Sequence, residues 1–512
     1  MHESTLKRLV VVLALAPFPL VAHAAPSCAA LDQLLAGRTT GVVVCFHSDD
    51  LRTNNAVTTP LDNSILNFAD GKPFPGIFGG IGGFTPKTDR GVISNGPVPT
   101  PTAVPGIQVE GWLADDPAKE ARFVLRFPDD WNGSLVVAGA SGTRSEYNGD
   151  FAWSDYVLPK GYAYASQNKG VLNLYIDAFN NSISQPASDP LACRLNPASL
   201  TWVHFYDNDP QKPFTQWTQY MLETAELARD AAKATYRKFP RNTYAVGTSN
   251  GGYQVRRAIE EAPNLFDGGV DWEGTFIDAS GPNILIDLPP AIRNFPAYVA
   301  SDYDPNSVAA QNILAAGYPP DIVKRDPATK AVTDSLWLRY SNSFWEVTAC
   351  QWQERFDPTY PTYTAGLGNY DYLLRIGVPG VFDAVNATAT TGKIKRPLIT
   401  VAGTMDALLP IERQARAYEA AVNASRKGNN NERKAQYRLY EVQNGNHIEA
   451  NALPAAFPQL RVIQPYAQAA FDLLVAHVEN KAPLPPSQCI PKDGAISASP
   501  AQSGHCAQLF VP

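Results

Sequence analysis

The stretch from Thr243 to Glu260 leaves few folds open. Thr243-Tyr244-Ala245-Val246 is a short apolar, β-prone run. Gly247-Thr248-Ser249-Asn250-Gly251 follows, and Tyr253 to Glu260 then suits a helix. A strand that becomes a helix across so few residues needs a tight, strained turn. Glycine on either side of the serine removes side chains that would block close helix–strand packing. Such a unit belongs in a sheet with helices laid on it, and it lifts the serine hydroxyl to the sheet's C-terminal edge. The helix N-terminus behind it stabilises negative charge that develops there. By average Gly and Ser usage, a G-x-S-x-G pattern arises by chance roughly 0.1–0.2 times in a chain this long. The pattern therefore counts only with its context, and a plain Gly-rich turn is the alternative.

Downstream residues supply that context. A serine hydroxyl is a poor nucleophile at neutral pH and needs a base beside it. His447 lies on the turn Asn444-Gly445-Asn446-His447, just past the last predicted strand, Gln436–Val442. His47, His204, His477 and His505 are worse placed: in the N-terminal arm, before the nucleophile strand, inside the last helix and in the tail. Asp406 leaves the buried strand around Leu398–Val401 and is placed to hold the second imidazole nitrogen. Its alternative is an ordinary helix-start aspartate near Pro410. Asp383 and Glu441 are the reserve acids. The order Ser249, Asp406, His447 is the chain order Ser…Asp…His.

A serine that attacks a carbonyl also needs donors for the oxyanion. The Asn250 N–H is one. The other is expected from Gly139-Ala140-Ser141-Gly142-Thr143, after the strand Ser134–Ala138, at either Ala140 or Ser141. Trp272 and Glu273 end the strand that starts near Phe266, on the face where such sheets bind ligands. They are candidate substrate contacts, with a buried structural role as the alternative.

The rest of the chain frames this core. Lys7-Arg8, the apolar run Leu9–Leu20 and Ala22-His23-Ala24 read as a cleaved export signal over residues 1–24, shorter than a membrane span of about 20 residues needs. Residues 25–106 read as a loop-rich arm, thick with Gly and Pro after Gly71 and without the Gly-Lys-Ser/Thr ending of a phosphate loop. Residues 107–277 alternate strands and helices, giving an α/β fold with a mostly parallel sheet and helices on both faces. The predicted strands are Ile107–Ala114, Ala121–Phe127, Ser134–Ala138, Tyr162–Ser166 and Thr243–Val246, with a helix over Phe214–Phe239. Residues 278–395 break the rhythm and are rich in proline and aromatics, among them Trp337, Tyr340, Phe344, Trp345, Trp352, Tyr363, Tyr370 and Tyr372. They read as an inserted cap or lid, or as a helical subdomain whose aromatics fill its own core. The core resumes over 396–482, with helices near Ile411–Ser425 and Arg461–Glu479, and 483–512 is a tail.

Six cysteines outside the leader suggest disulfides in an oxidising compartment. Loop closure favours Cys28–Cys45 and Cys489–Cys506, leaving Cys193–Cys350. No Cys/His spacing suggests zinc. A net charge of −7 with no basic run argues against nucleic acid and anionic membranes as partners. No cofactor or metal is expected, no membrane insertion is expected, and the oligomeric state is not readable.

Over about 107–275 and 397–480, the residues around Ser249, Asp406 and His447 resemble the α/β-hydrolase superfamily. Gly247-Thr248-Ser249-Asn250-Gly251-Gly252-Tyr253, the leader and the large insertion look like secreted esterases. Two groups share these features: the 3-hydroxybutyrate-oligomer hydrolases and the tannase/feruloyl-esterase group. In the tannase group a cysteine precedes the nucleophile and another adjoins the histidine. Here those places hold Thr248 and Asn446 or Ile448, and the acidic cluster of that group's lid calcium site has no counterpart. The resemblance thus implies an exported serine hydrolase of carboxylic esters, with hydroxyester oligomers or aromatic esters as substrate classes. The rivals are a serine peptidase or amidase on the same fold, an interfacial lipase, and a non-catalytic binding protein on a hydrolase scaffold.

Overall fold

The computed structural model describes residues 27–52, 103–114, 121–142, 145–170, 174–176, 193–194, 201–203, 214–426 and 436–512. The expected leader, most of the Gly/Pro-rich run from Gly71 and His204 lie outside them.

Ten strands form the main sheet: β1 (Thr39–Ser48), β2 (Gly106–Leu113), β3 (Arg122–Pro128), β4 (Ser134–Gly139), β5 (Ala163–Gln167), β6 (Asn242–Thr248), β7 (Gly268–Trp272), β8 (Leu398–Gly403), β9 (Tyr437–Val442) and β10 (Gln488–Ile490). Their order is β1-β2-β3-β5-β4-β6-β7-β8-β9-β10. The first four pair antiparallel. From β5 onward every neighbour is parallel. The swap of β4 and β5 before a run of parallel strands is the α/β-hydrolase arrangement. It carries the chain from an antiparallel edge into the crossover half, where helices join parallel strands.

Helices cover both faces, and the strand period of two sorts side chains between them. Leu135, Val137, Ala245 and Leu398 face one layer with α1 (Thr215–Tyr236), α2 (Asn250–Glu261) and α5 (Ala415–Arg426). Val136, Ala138, Tyr244, Val246, Ile399 and Val401 face the other, under α6 (Gln464–Asn480). Parallel strands buried on both faces read as near-continuous apolar runs, which is why β4, β6 and β8 are visible in the sequence.

Between β7 and β8 the chain builds a mostly helical region that includes α3 (Ile284–Ala300) and α4 (Glu346–Phe356). Its aromatics make a core of their own. Trp337, Tyr340, Trp345, Trp352, Tyr370 and Tyr372 are all buried in one cluster, with Phe344 packed against it. Met405, Ala407, Leu409, Phe457 and Leu460, from loops after β8 and β9, complete the same cluster. The side chain of Tyr363 is outside the description.

Both ends of the chain do more than the sequence suggests. The arm supplies β1, a ten-residue strand at the sheet edge, and the tail supplies β10 at the other edge. β1 was hidden because its β-branched core sits beside long Gly/Pro-rich sequence; β10 is too short to show a period. Disulfides Cys28–Cys45 and Cys489–Cys506 pin these two additions. Cys350 is also disulfide-bonded; the side chain of Cys193, its expected partner, lies outside the description. Among the described residues, no helix is long and apolar enough to cross a membrane.

Candidate active site

Ser249 links β6 to α2 with φ +57° and ψ −120°, a conformation a non-glycine residue adopts only at a cost of about 1–3 kcal/mol. The neighbourhood holds it there. The Ser249 N–H donates to Trp272 O at 2.8 Å, and Tyr253 N–H donates to Ser249 O at 3.0 Å. A Cβ on Gly247 would lie 2.4 Å from Gly251 O, and one on Gly251 would lie 2.3 Å from Gly139 O. Both clashes are with backbone, so the two glycines are required for α2 to start this close to β4 and β6.

The structure brings Ser249, His447 and Asp406 into one hydrogen-bonded line. His447 Nε2 lies 3.0 Å from Ser249 Oγ, and His447 Nδ1 lies 2.8 Å from Asp406 Oδ2. All three side chains are buried. Asp406 Oδ1 accepts from the N–H groups of Leu408 and Leu409 at 2.7 and 2.8 Å, which aims Oδ2 at the imidazole. Burial pulls the His447 value down, but the charges of Asp406 and then Glu273 outweigh it and push it up to about 9. This arrangement suits removal of a proton from Ser249 by the imidazole, with the carboxylate steadying the imidazolium.

The other described histidines are engaged elsewhere. His47 pairs with Asp129, His505 with Glu419, and His477 Nδ1 contacts Ala482 O. The reserve acids are also remote: Glu441 is held by both arms of Arg416, and Asp383 is exposed on a short helix, Val381–Ala387.

At the expected oxyanion position, Asn250 is the first residue of α2. Of the two loop candidates, Ser141 already donates both its N–H and its hydroxyl to Asn148 Oδ1, each at 2.9 Å. That commitment favours Ala140. The Gly139–Ala140 backbone lies directly against Gly251. Lys169, buried and unremarked in the sequence, ties this loop down through Ala140 O at 2.8 Å and Ser141 O at 3.3 Å.

Trp272 and Glu273, the candidate substrate contacts, are both buried. Trp272 is 1% exposed, packs in the layer under α6, and meets Trp153 edge-on at 6.4 Å. Glu273 is also buried and points at the imidazole: its Oε2 is 3.6 Å from His447 Nδ1. Asp271 shapes this strand end by pairing with buried Arg256 at 2.5 Å and accepting the Gly274 N–H at 2.6 Å. Glu273, Asp406 and His447 place one oxygen or nitrogen each within 4.8 Å of one another. Two of the three converging atoms, His447 Nδ1 and Asp406 Oδ2, are already bonded to each other at 2.8 Å. The grouping therefore reads as an acid–base cluster rather than a cation site.

With this geometry in view, the relatives are informative. Residues 376–506 match the family model of the 3HB-oligomer hydrolases. Over this stretch the chain resembles that family. The D-(-)-3-hydroxybutyrate oligomer hydrolase of Burkholderia cenocepacia (strain HI2424) is 37% identical over 131 residues, 25% of this chain and 18% of the relative. That match spans under a fifth of the curated relative's length; the family-model stretch, residues 376–506, includes Asp406 and His447 and does not reach Ser249. Among solved structures, feruloyl esterase B from Aspergillus oryzae superposes with a TM-score of 0.48 at 11% identity, covering 89% of this chain and 90% of that one. The tannin acyl hydrolase of Aspergillus niger gives a TM-score of 0.42 at 12% identity, covering 76% and 82%.

Proposed function

We propose that this chain is an exported serine hydrolase that cleaves carboxylic esters through an acyl-enzyme. The observation that carries the reading is the hydrogen-bonded line from Ser249 Oγ through His447 to Asp406, set on a strained turn. Ser249 is the nucleophile, His447 the base and then the acid, and Asp406 the residue that orients it. The N–H groups of Asn250 and Ala140 receive the oxyanion. Oligomers of hydroxy acids are the favoured substrate class, by similarity of residues 376–506 to hydrolases named for them. The helical region between β7 and β8 is the cap, and its buried aromatics support the cap's own fold rather than an aromatic acyl pocket. Export is supported by the leader-like residues 1–24 and by the disulfides.

The test is hydrolysis of p-nitrophenyl esters, acetate to octanoate, and of 3-hydroxybutyrate dimers and trimers, by the mature chain and by Ser249→Ala. The wild type is expected to be active and to label with a serine-reactive phosphonate. The variant should lose at least about 1000-fold in kcat while keeping its melting temperature. An active Ser249→Ala variant, or a wild type that is inert to every ester and to the phosphonate, overturns the reading.

A further inference from the structure

Glu273 is a buried acid beside His447 for which the scheme above has no use. It directly follows β7 with φ +51°, left-handed backbone that a glutamate adopts only under constraint. Its side chain is split between two tasks. Oε1 accepts the Gly403 N–H at 2.9 Å, which ties it to the start of the loop that carries Asp406. Oε2 has no hydrogen-bond partner among the described residues and sits 3.6 Å from His447 Nδ1. An unpaired carboxylate oxygen costs stability in a dry interior, and backbone strain adds to that cost. Both are spent on the one spot beside the nitrogen that Asp406 already serves. Burial first, and then the charge of Asp406, hold the Glu273 carboxyl above its ordinary range, while the protonated imidazole pulls the other way, so the Glu273 charge is favoured when His447 carries its second proton.

We propose that Glu273 is a second carboxylate for the imidazole: a positioning residue that shares the charge of His447 with Asp406 and takes over Nδ1 when Asp406 is neutralised. The idea rests on the serine-hydrolase reading for its role in turnover, though not for the contact itself. When Ser249 Oγ attacks the ester carbon, its proton moves to Nε2. The Nδ1 proton stays on the ring, between Asp406 Oδ2 and Glu273 Oε2. The Nε2 proton then leaves with the alcohol, and the ring returns to neutral. A second negative neighbour stabilises the imidazolium through this cycle and moves the pH at which the free imidazole becomes available upward. Activity is therefore lost as pH falls through the His447 midpoint, because a protonated His447 cannot accept the serine proton.

Glu273→Gln is the informative substitution, because it keeps an oxygen for the Gly403 N–H and removes only the charge. The first readout is a histidine NMR titration of the full chain, with the His447 signal identified by its loss in His447→Gln. Glu273→Gln is expected to lower the His447 midpoint by about one pH unit, the size of losing one close opposite charge. It should move the acidic limb of kcat/KM the same way. An unchanged midpoint overturns the proposal. The second readout compares Asp406→Asn with the double variant Asp406→Asn/Glu273→Gln. The single variant is expected to hydrolyse esters about tenfold or more faster than the double; equal rates overturn the takeover. Should the wild type hydrolyse no ester, the functional reading fails on its own, and the titration still decides whether Glu273 shares the imidazole.

Discussion

Ser249 stands on backbone contacts, whereas the loops of Asp406 and His447, whose backbones also meet at Gly403, Met405 and Gly445, are braced in addition by side chains from far away in sequence. On the serine side, the contacts are main-chain hydrogen bonds to Trp272 and Tyr253 and the glycine-to-glycine approach of α2 to β4 and β6. On the other side, the Trp345 indole N–H donates to Ala407 O at 2.6 Å, one residue past Asp406. The Tyr340 hydroxyl donates to Asn446 Oδ1 at 2.9 Å, one residue before His447. Asn446 Nδ2 in turn reaches Met405 O at 2.5 Å and couples the two loops. The helical region thus braces the loops that carry the acid and the base. Backbone contacts between glycines leave no room for adjustment; side-chain braces leave some. The two halves of the site should therefore fail differently.

Gly251→Ala is the strongest way to test that contrast. Its Cβ would meet Gly139 backbone at 2.3 Å, and neither partner has a flexible end to move. The expected cost is about 3 kcal/mol or more in stability, read by thermal melting, together with loss of phosphonate labelling. A native-like melt with normal labelling would break the claim that close packing sets the serine. Trp345→Phe comes next. It removes the Ala407 bond and part of a buried ring, so a loss of about 1–3 kcal/mol and of about tenfold in kcat/KM is expected. Stability lost with kcat/KM intact would show that the brace supports the cap but not Asp406. Tyr340→Phe should do least. Asn446 Oδ1 keeps its bonds from Ile448 N–H and Asn451 Nδ2, at 3.2 and 3.3 Å. About 0.5–1.5 kcal/mol is expected, with ester turnover within a few-fold of wild type. A larger effect than that of Trp345→Phe would reverse the ranking of the two braces.

The same contrast explains what was legible. The β4, β6 and β8 runs and the turn at Ser249 are local patterns, since a buried parallel strand and a glycine-flanked elbow declare themselves within a few residues. The aromatics of the inserted region were visible, but not their destination. Trp337, Trp345 and Trp352 fill a core, and their reach to Ala407 is set by packing. Trp272 was placed at the right strand end, but its burial in the layer under α6 is set by packing that no local pattern announces. Ser141 was a fair candidate until Asn148 claimed its N–H, a pairing that no spacing rule announces. The signal available for Glu273 was its adjacency to a strand end. Its left-handed backbone carried no mark, since glutamate is not a residue that advertises φ above zero.

By itself the sequence determined the alternation of strands and helices, the glycine-bounded turn at Ser249, and the order in which serine, aspartate and histidine come along the chain. These follow from periodicity and from steric rules that act over a few bonds. Only the tertiary structure decided that Asp406 and His447 meet Ser249 at hydrogen-bond distance, that β1 and β10 extend the sheet, and that Glu273 stands as a second acid beside the imidazole. Those outcomes depend on side chains separated by scores of residues arriving at one place, and the free energy that selects the place comes from burial of the whole core.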